Sequence, residues 1–394
     1  MSKVARRVFA HWPRFFFFTF LLVLLRPQDP LHYLFFLLGF FVPLSHRGQL
    51  RPLYLWLGWS FFSALCASEP SSALVAWGEE CVVAGAGFAA GLYGRQDRRW
   101  LWALQVAGWL MGGMILIQAA AAPPFPRGWV AHAERGVLPF RVTGLWNNPN
   151  GTGLFLAYLL PLFLGGMEEK PARGGKIKAY MPMALTGLTV TALLFTYART
   201  AWLAALIALI IYWGPRERVK LRRLIVILLL LVGFFPSVAG RIGPNALTSG
   251  TVDYRFTIWQ ETWRLVQKYP LTGGGEKELR ASLRPLRVDH AHNHYLQITA
   301  EKGIPAFFLF GWLLFRFRQA ACRSGGVGQD SRLLRGVAAA FGGQLVAGLA
   351  ESIWAVPLGS FLFWFAFALV TAERKPVVAA EGETGKAPVK WQPG

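Results

Sequence analysis

The chain has 394 residues, of which 54% are hydrophobic, 15% aromatic and only 15% charged. Soluble globular proteins carry about 25% charged residues, so the composition excludes an ordinary soluble enzyme and a disordered chain alike. The net charge of +21 comes from 41 basic and 20 acidic side chains. They are spread over short segments between apolar runs, which suits loops at a membrane surface and gives no footing for a nucleic-acid partner.

Apolar runs approaching or exceeding the roughly 20 residues that cross a bilayer recur at 14–25, 31–44, 52–68, 73–92, 99–121, 147–166, 179–197, 199–213, 224–240, 296–315, 336–353 and 357–371. They predict an all-α, polytopic integral membrane protein of about twelve transmembrane helices with one long helical loop. The first run follows a basic N-terminus and has no small-residue cleavage site, so it reads as an uncleaved anchor. The first two runs are short, either tilted or a re-entrant hairpin around Pro27-Gln28-Asp29-Pro30. Gly87/Gly91 and Gly108/Gly112 have the GxxxG spacing that lets helices approach closely. Glu79 and Glu80 fall inside the fourth run with no assignable role.

Two apolar stretches are too long for one crossing. Residues 179–213 would make a helix of about 52 Å at 1.5 Å per residue, against a hydrocarbon core of ~30 Å. The only charge inside is Arg199, in Tyr197-Ala198-Arg199-Thr200, so a tight turn is expected there. Residues 336–371 pose the same problem, and Glu351 to Pro357 is the natural turn. With both termini inside, about two-thirds of the basic residues lie on the inner side, as the positive-inside rule requires. Arg199, a loop at about 122–146, the long loop at about 241–295 and the Glu351 turn then share the outer face. Residues 1–372 form one membrane-embedded domain, and 373–394 form a disordered cytoplasmic tail.

The outer loops hold the residues that could do chemistry. Asp253 to Arg264 reads as a helix with an apolar stripe of Phe256, Trp259, Trp263 and Val266, either an interfacial helix or a packed lid. Pro270 ends it and Gly273-Gly274-Gly275 makes a turn. Next come Arg280, Arg284 and Arg287, then His290, His292 and His294 just before a span. Three readings of the histidines are open. His290 and His294 could ligate a metal at i,i+4, although no HExxH accompanies them. They could simply favour the polar interface. One could be a general base, because imidazole titrates near ~6.5. A lone Arg199 between two spans either snorkels to the interface or forks onto phosphate oxygens. Arg141 precedes Asn147-Asn148-Pro149-Asn150, where Asn148 or Asn150 can cap the following helix at an anion-binding N-terminus. Glu301 sits one turn into the tenth span, and Glu351 is read as an ion-pair partner of the arginines. There is no Walker A, no GxGxxG after a strand and no GxSxG.

The order Arg141-x-x-Gly144, Asn148-Pro149-Asn150, Ala198-Arg199-Thr200-Ala201-Trp202, Arg255 to Trp259, Pro270-Leu271-x-Gly273-x-Gly275 and His292-Asn293-x-x-Leu296 to Gly303-Ile304-Pro305 resembles the O-antigen ligase superfamily. That superfamily includes O-antigen ligases, O-antigen polymerases and protein O-oligosaccharyltransferases. The His-Asn pair, nine residues, then Gly is its strongest element. The last position departs, because Ala306 stands where the ligases usually have glycine. The resemblance implies a metal-independent, inverting glycosyltransferase of the bacterial inner membrane with its site facing the periplasm and no cofactor. The donor would be a glycan on undecaprenyl pyrophosphate and the acceptor lipid A-core. Arg199, Arg255 and His292 match the family's functional residues. Arg141, Asn150, Arg287 and His294 are added here as substrate contacts on position and chemistry. A polymerase using a second lipid-linked glycan is the alternative, and a lipid or anion transporter a more distant one.

Overall fold

The computed structural model describes residues 15–27, 29, 31–34, 47–95, 97–121, 141–146, 148–167, 176–220, 222, 226, 251–323 and 329–372. Among these the secondary structure is helical, with no strand. The principal helices are α1 (Phe15–Leu25), α2 (Arg47–Leu65), α3 (Pro70–Gly94), α4 (Arg99–Ala121), α5 (Pro149–Met167), α6 (Lys176–Phe195) and α7 (Arg199–Trp213). They continue with α8 (Thr251–Lys268), α9 (Gly275–Leu283), α10 (His294–Lys302), α11 (Ile304–Arg323), α12 (Gln329–Ala347) and α13 (Pro357–Thr371). The expected span at 224–240, most of that at 31–44, the loop at 122–140, the first part of the 241–295 loop and the tail at 373–394 lie outside the described residues. Two helices, α3 and α4, are long and apolar enough to cross a membrane by length and composition. Several others are apolar but shorter, among them α1, α7 and α13.

Helix limits follow local chemistry. Proline opens α3, α5 and α13, where the missing N–H costs no intrahelical bond. The long apolar stretch at 179–213 is broken at Thr196 to Ala198, and Arg199 is the first residue of α7. The stretch at 336–371 is broken from Gly348 to Val356. The expected span at 296–315 is corrected. A short α10 ends at Lys302, and the apolar helix α11 starts only at Ile304. Glu301 therefore precedes the apolar helix instead of lying within it. The break has a backbone cause, because Gly303 has φ +83 and Gly273 has φ +73, a region that side chains disfavour.

Small residues set the packing of the bundle. Gly87 and Gly91 bring α3 against α13 so closely that a Cβ would meet the carbonyls of Phe361 and Phe365. Gly108 and Gly112 of α4 seat Phe163 of α5 and Leu188 of α6. The core is rich in aromatic rings. Trp354, in the turn between α12 and α13, lies 5.2 Å from Phe310, 5.2 Å from Phe363 and 5.9 Å from Phe341 between ring centroids. These contacts anchor the turn that carries Glu351.

The loop helices α8 and α9 form a second, smaller core. Ile258, Leu265, Val266, Leu279, Leu283 and Ala300 are buried together. The expected stripe of α8 is split: Val266 faces this core and Trp259 is half-buried, whereas Phe256 and Trp263 point outward. The unit is clamped to α10 and α11 at the two left-handed glycines. Gly274 N–H donates to the Ala300 carbonyl at 2.9 Å, and Ile304 N–H to the Pro270 carbonyl at 2.8 Å. A Cβ on Gly303 would collide with the Leu271 carbonyl, and one on Gly273 with Glu301 backbone. From α2, Ser63 Oγ donates to the Thr272 carbonyl at 2.6 Å and Trp59 Nε1 to the Lys302 carbonyl at 2.9 Å. Gly303→Ala should therefore lower the melting temperature of the purified protein by several degrees. The left-handed backbone alone costs roughly 1–3 kcal/mol and the collision adds to it; an unchanged thermal melt would contradict this clamp.

Candidate functional site

The site is assembled around one buried carboxylate. Glu351, 7% exposed, follows the C-terminus of α12. Its Oε1 accepts from the Arg255 guanidinium of α8 at 3.1 Å and from Asn150 Nδ2 at 3.1 Å. Its Oε2 lies 3.2 Å from His292 Nδ1. Asn150 Oδ1 in turn accepts from Arg141 at 2.7 Å, and Arg141 Nε donates to the Thr196 carbonyl at 3.1 Å. One network thus joins α5, α8, the histidine loop, the α12–α13 turn and the α6–α7 turn.

Each member is placed by local structure. Asn148 caps α5, its Oδ1 accepting from Asn150 N–H at 3.0 Å and Gly151 N–H at 3.1 Å. That leaves the Asn150 side chain available as a bridge. Asn293 caps α10 in the same way, accepting from Tyr295 and Leu296 N–H, and its Nδ2 donates to the Leu349 carbonyl at 3.2 Å. His294 N–H donates to the Gly348 carbonyl at 2.8 Å. These two bonds dock the histidine loop on the Glu351 turn. The nine residues between Asn293 and Gly303 are therefore one short helix from cap to stop. His292 itself has φ +48, Tyr197 φ +50 and Arg287 φ +55. Left-handed non-glycine residues are uncommon and gather where surrounding contacts enforce them; these three lie in the site's own loops or beside them.

Arg199, Arg255 and His292, expected to carry the chemistry, are distributed as follows. Arg255 and His292 meet on the same carboxylate. Arg199 opens α7 directly after the turn that Arg141 holds, and that turn abuts Gly153 of α5. Arg141 and Asn150, expected as substrate contacts, belong to the network. Arg287 sits exposed on the loop surface and is not part of it. His294 is buried and turned the other way, with its ring centroid 4.4 Å from Trp354 and 5.6 Å from Phe310. Glu351 was legible as an ion-pair partner of the arginines, but not as the group that also orients His292. The available signal was an acid at an outer turn facing a surplus of arginines.

The electrostatics follow from burial and partners. Burial alone would raise the Glu351 carboxyl, but the hydrogen bond and charge of His292 and the charge of Arg255 outweigh it and hold it below its ordinary value. Burial, reinforced by the neighbouring His292, lowers His290 to about 4, so His290 is neutral at pH 7. The i,i+4 arrangement that would let His290 and His294 share a metal, one of the three readings left open, does not form, because α10 begins only at His294. A different trio, His290, His292 and Glu351, brings potential ligand atoms within 4.8 Å of one another. A dication there would share Glu351 with the Arg255 guanidinium and be repelled by it. With Nδ1–H of His292 donated to Glu351, its Nε2 keeps the lone pair and can accept a proton.

Glu351→Gln should destabilise the protein by roughly 1–3 kcal/mol, because it leaves buried charged donors poorly matched. The pH dependence has a definite sign. A carboxyl depressed in the folded state adds stability that is complete above its unfolded value of about 4.5 and lost as pH falls through the folded value. The gap in melting temperature between wild type and Glu351→Gln should be full at pH 7 and close below about pH 4.5. A gap that widens on acidification would contradict the assignment.

Residues 184–311 match the family model described as Wzy_C, O-antigen ligase. The match contains Arg199, Arg255, Arg287, His292, His294 and both clamp glycines, whereas Arg141, Asn150 and Glu351 lie outside it. No curated protein matches the chain. The matched segment thus holds the two arginines and the loop histidine in the order read from the sequence, and over these residues the chain is similar to the O-antigen ligase family.

Proposed function

We propose that the protein is a polytopic inner-membrane glycosyltransferase that moves a glycan from undecaprenyl pyrophosphate to lipid A-core at the periplasmic face. Members of the superfamily are membrane enzymes, ligases and polymerases, that act on lipid-linked glycans. The observation that carries the reading is the Arg255–Glu351–His292 constellation in and beside the matched segment. Membrane insertion is supported by α3 and α4 and by large apolar side chains on outward faces, including Val75, Trp102, Ile117, Phe308 and Phe315.

In this reading His292 Nε2 takes the proton of the acceptor hydroxyl as its oxygen attacks the anomeric carbon. The bond from that carbon to the diphosphate oxygen breaks, and the leaving diphosphate carries away the bonding pair. Arg199 and Arg255 stabilise the charge that develops there, with Arg141 and Arg287 further out. Attack opposite the leaving group inverts the anomeric centre. Glu351 holds His292 in the required tautomer and offsets the positive charge the ring acquires. An apolar cleft of about 150 Å³ lined by Trp146, Leu154, Phe155, Phe341 and Leu362 runs beside Asn148 and suits an isoprenoid chain next to its diphosphate. Arginine supplies the positive charge, so the reaction needs no metal.

The test is transfer in vitro with purified protein, lipid-linked glycan and lipid A-core, in the presence of chelator. His292→Ala should lower turnover at least ~10²-fold, the usual contribution of a general base, while the variant still inserts and melts normally. Arg199→Lys should cost about tenfold, because a point charge does not replace a two-pronged fork. Full activity of His292→Ala would discard the mechanism. The Ala306 departure favours the polymerase as a second reading. Product formed with lipid A-core as sole acceptor identifies the ligase, and product formed only with a second lipid-linked glycan identifies the polymerase.

A further inference from the structure

A second cavity lies behind the site, separated from it by His294 and Trp354. It occupies about 340 Å³ between α2, α3, α10, α11 and the start of α13, under α9. That volume is within the ~300–1,000 Å³ range of small-molecule pockets. None of Arg255, His292 or Glu351 lines it.

Its walls combine indoles with polar groups. Trp56 and Trp77 face it beside Ser60, Glu79, Gln297 and Glu301. Lys302 Nζ donates to Glu80 Oε2 at 2.6 Å and to Ser60 Oγ at 3.1 Å, and Trp56 Nε1 donates to Glu80 Oε1 at 2.8 Å. Gln297 Nε2 donates to Glu301 Oε1 at 2.8 Å, and burial raises the Glu301 carboxyl to about 7. Near neutral pH that group can therefore donate as well as accept. His294, 4% exposed, contributes to the wall beside Trp354 and Phe310, with its Nδ1 closed off from the cavity.

These features select a ligand class. Glu79, Glu80, Glu276 and Glu301 outnumber Lys302 and Arg280, so a phosphate would be repelled. A free cation would compete with Lys302, which already holds Glu80. An acyl chain would take the Glu79 carboxylate and the Lys302–Glu80 pair out of water. A ring bearing several hydroxyls fits all of them: each hydroxyl both donates and accepts, and an indole covers the ring's apolar face. We propose that this cavity is a binding subsite for a pyranose ring of the glycan substrate. Its role in transfer rests on the glycosyltransferase reading above; binding of the sugar does not.

The experiment has two arms. In the first, the full chain in nanodiscs is titrated with lipid-free core oligosaccharide and, as a control, with inorganic pyrophosphate, following tryptophan fluorescence. Ser60→Ala and Glu301→Ala should each weaken oligosaccharide binding about tenfold, the scale of a lost buried hydrogen bond, in variants that still melt cooperatively and bind pyrophosphate as the wild type does. In the second arm, the same variants should raise KM about tenfold for the acceptor if the ring belongs to it, or for the lipid-linked donor if it belongs there, with kcat within about twofold. Oligosaccharide affinity and both KM values unchanged in folded variants would overturn the subsite. Absence of transfer by the wild type would sink the glycosyltransferase reading alone, leaving the binding arm to judge the cavity.

Discussion

The site depends on the Glu351 carboxylate being ionised and almost fully buried. An isolated buried carboxylate is expensive, and only charged or hydrogen-bonding partners make it tolerable. Glu351 draws those partners from three separate parts of the chain: Arg255 from the loop helix, Asn150 from the first turn of α5 and His292 from the loop before α10. Convergence of the functional groups is therefore a condition for burying the acid. The turn that carries Glu351 is in turn fixed by Trp354 in the aromatic core.

That convergence requires backbone in unfavourable conformations. His292 and Tyr197 have positive φ without being glycine. Asn293 caps α10 immediately after His292, and its bond to the Leu349 carbonyl pulls the loop onto the Glu351 turn. The glycine pair at 273 and 303 lets the α8–α9 unit lie against α10, so Arg255 arrives over the same turn. The glycines, the cap and the left-handed histidine act on one geometry. All of them lie within the single stretch from Gly273 to Gly303.

Much of this was legible from the amino acids, for reasons that can be named. Length against bilayer thickness forced breaks near Arg199 and near Glu351, and both occur. Side-chain chemistry singled out Arg199 and the cluster His290, His292 and His294, because charges and imidazoles are conspicuous in an apolar chain, and the family resemblance selected Arg255 and His292. What was hidden depends on contacts distant in sequence. The boundary at Gly303 was missed although Glu301-Lys302-Gly303-Ile304-Pro305 interrupts the apolar run there, because the positive-φ backbone that makes the break shows only in the packing against Leu271. Glu351 looked like a simple ion-pair partner, since nothing local indicates that His292 lies 3.2 Å away. The stripe on α8 mixed two faces, because aromatic residues score as apolar whether they pack inward or point out. Glu79 and Glu80 had no role until Lys302, from more than two hundred residues away, was found on Glu80.

The Glu351 network and the cavity bounded by His294 and Trp354 differ in the sign of their charge. On one side of Trp354 and His294, Arg255 and Arg141 share a single carboxylate, Glu351, through Asn150. The local balance of these three side chains is positive, as the diphosphate of the proposed donor requires. On the other side, carboxyl groups outnumber cations and an anion is repelled. Under the proposed function, this difference in charge keeps a lipid diphosphate and a hydroxyl-bearing ring from exchanging places. His294 and His292 are two residues apart, one facing each compartment. A one-residue shift in the start of α10 would turn His294 out of the cavity and carry His292 away from Glu351. The Asn293 cap prevents that shift, so the register of one nine-residue helix sets the relation between the two compartments.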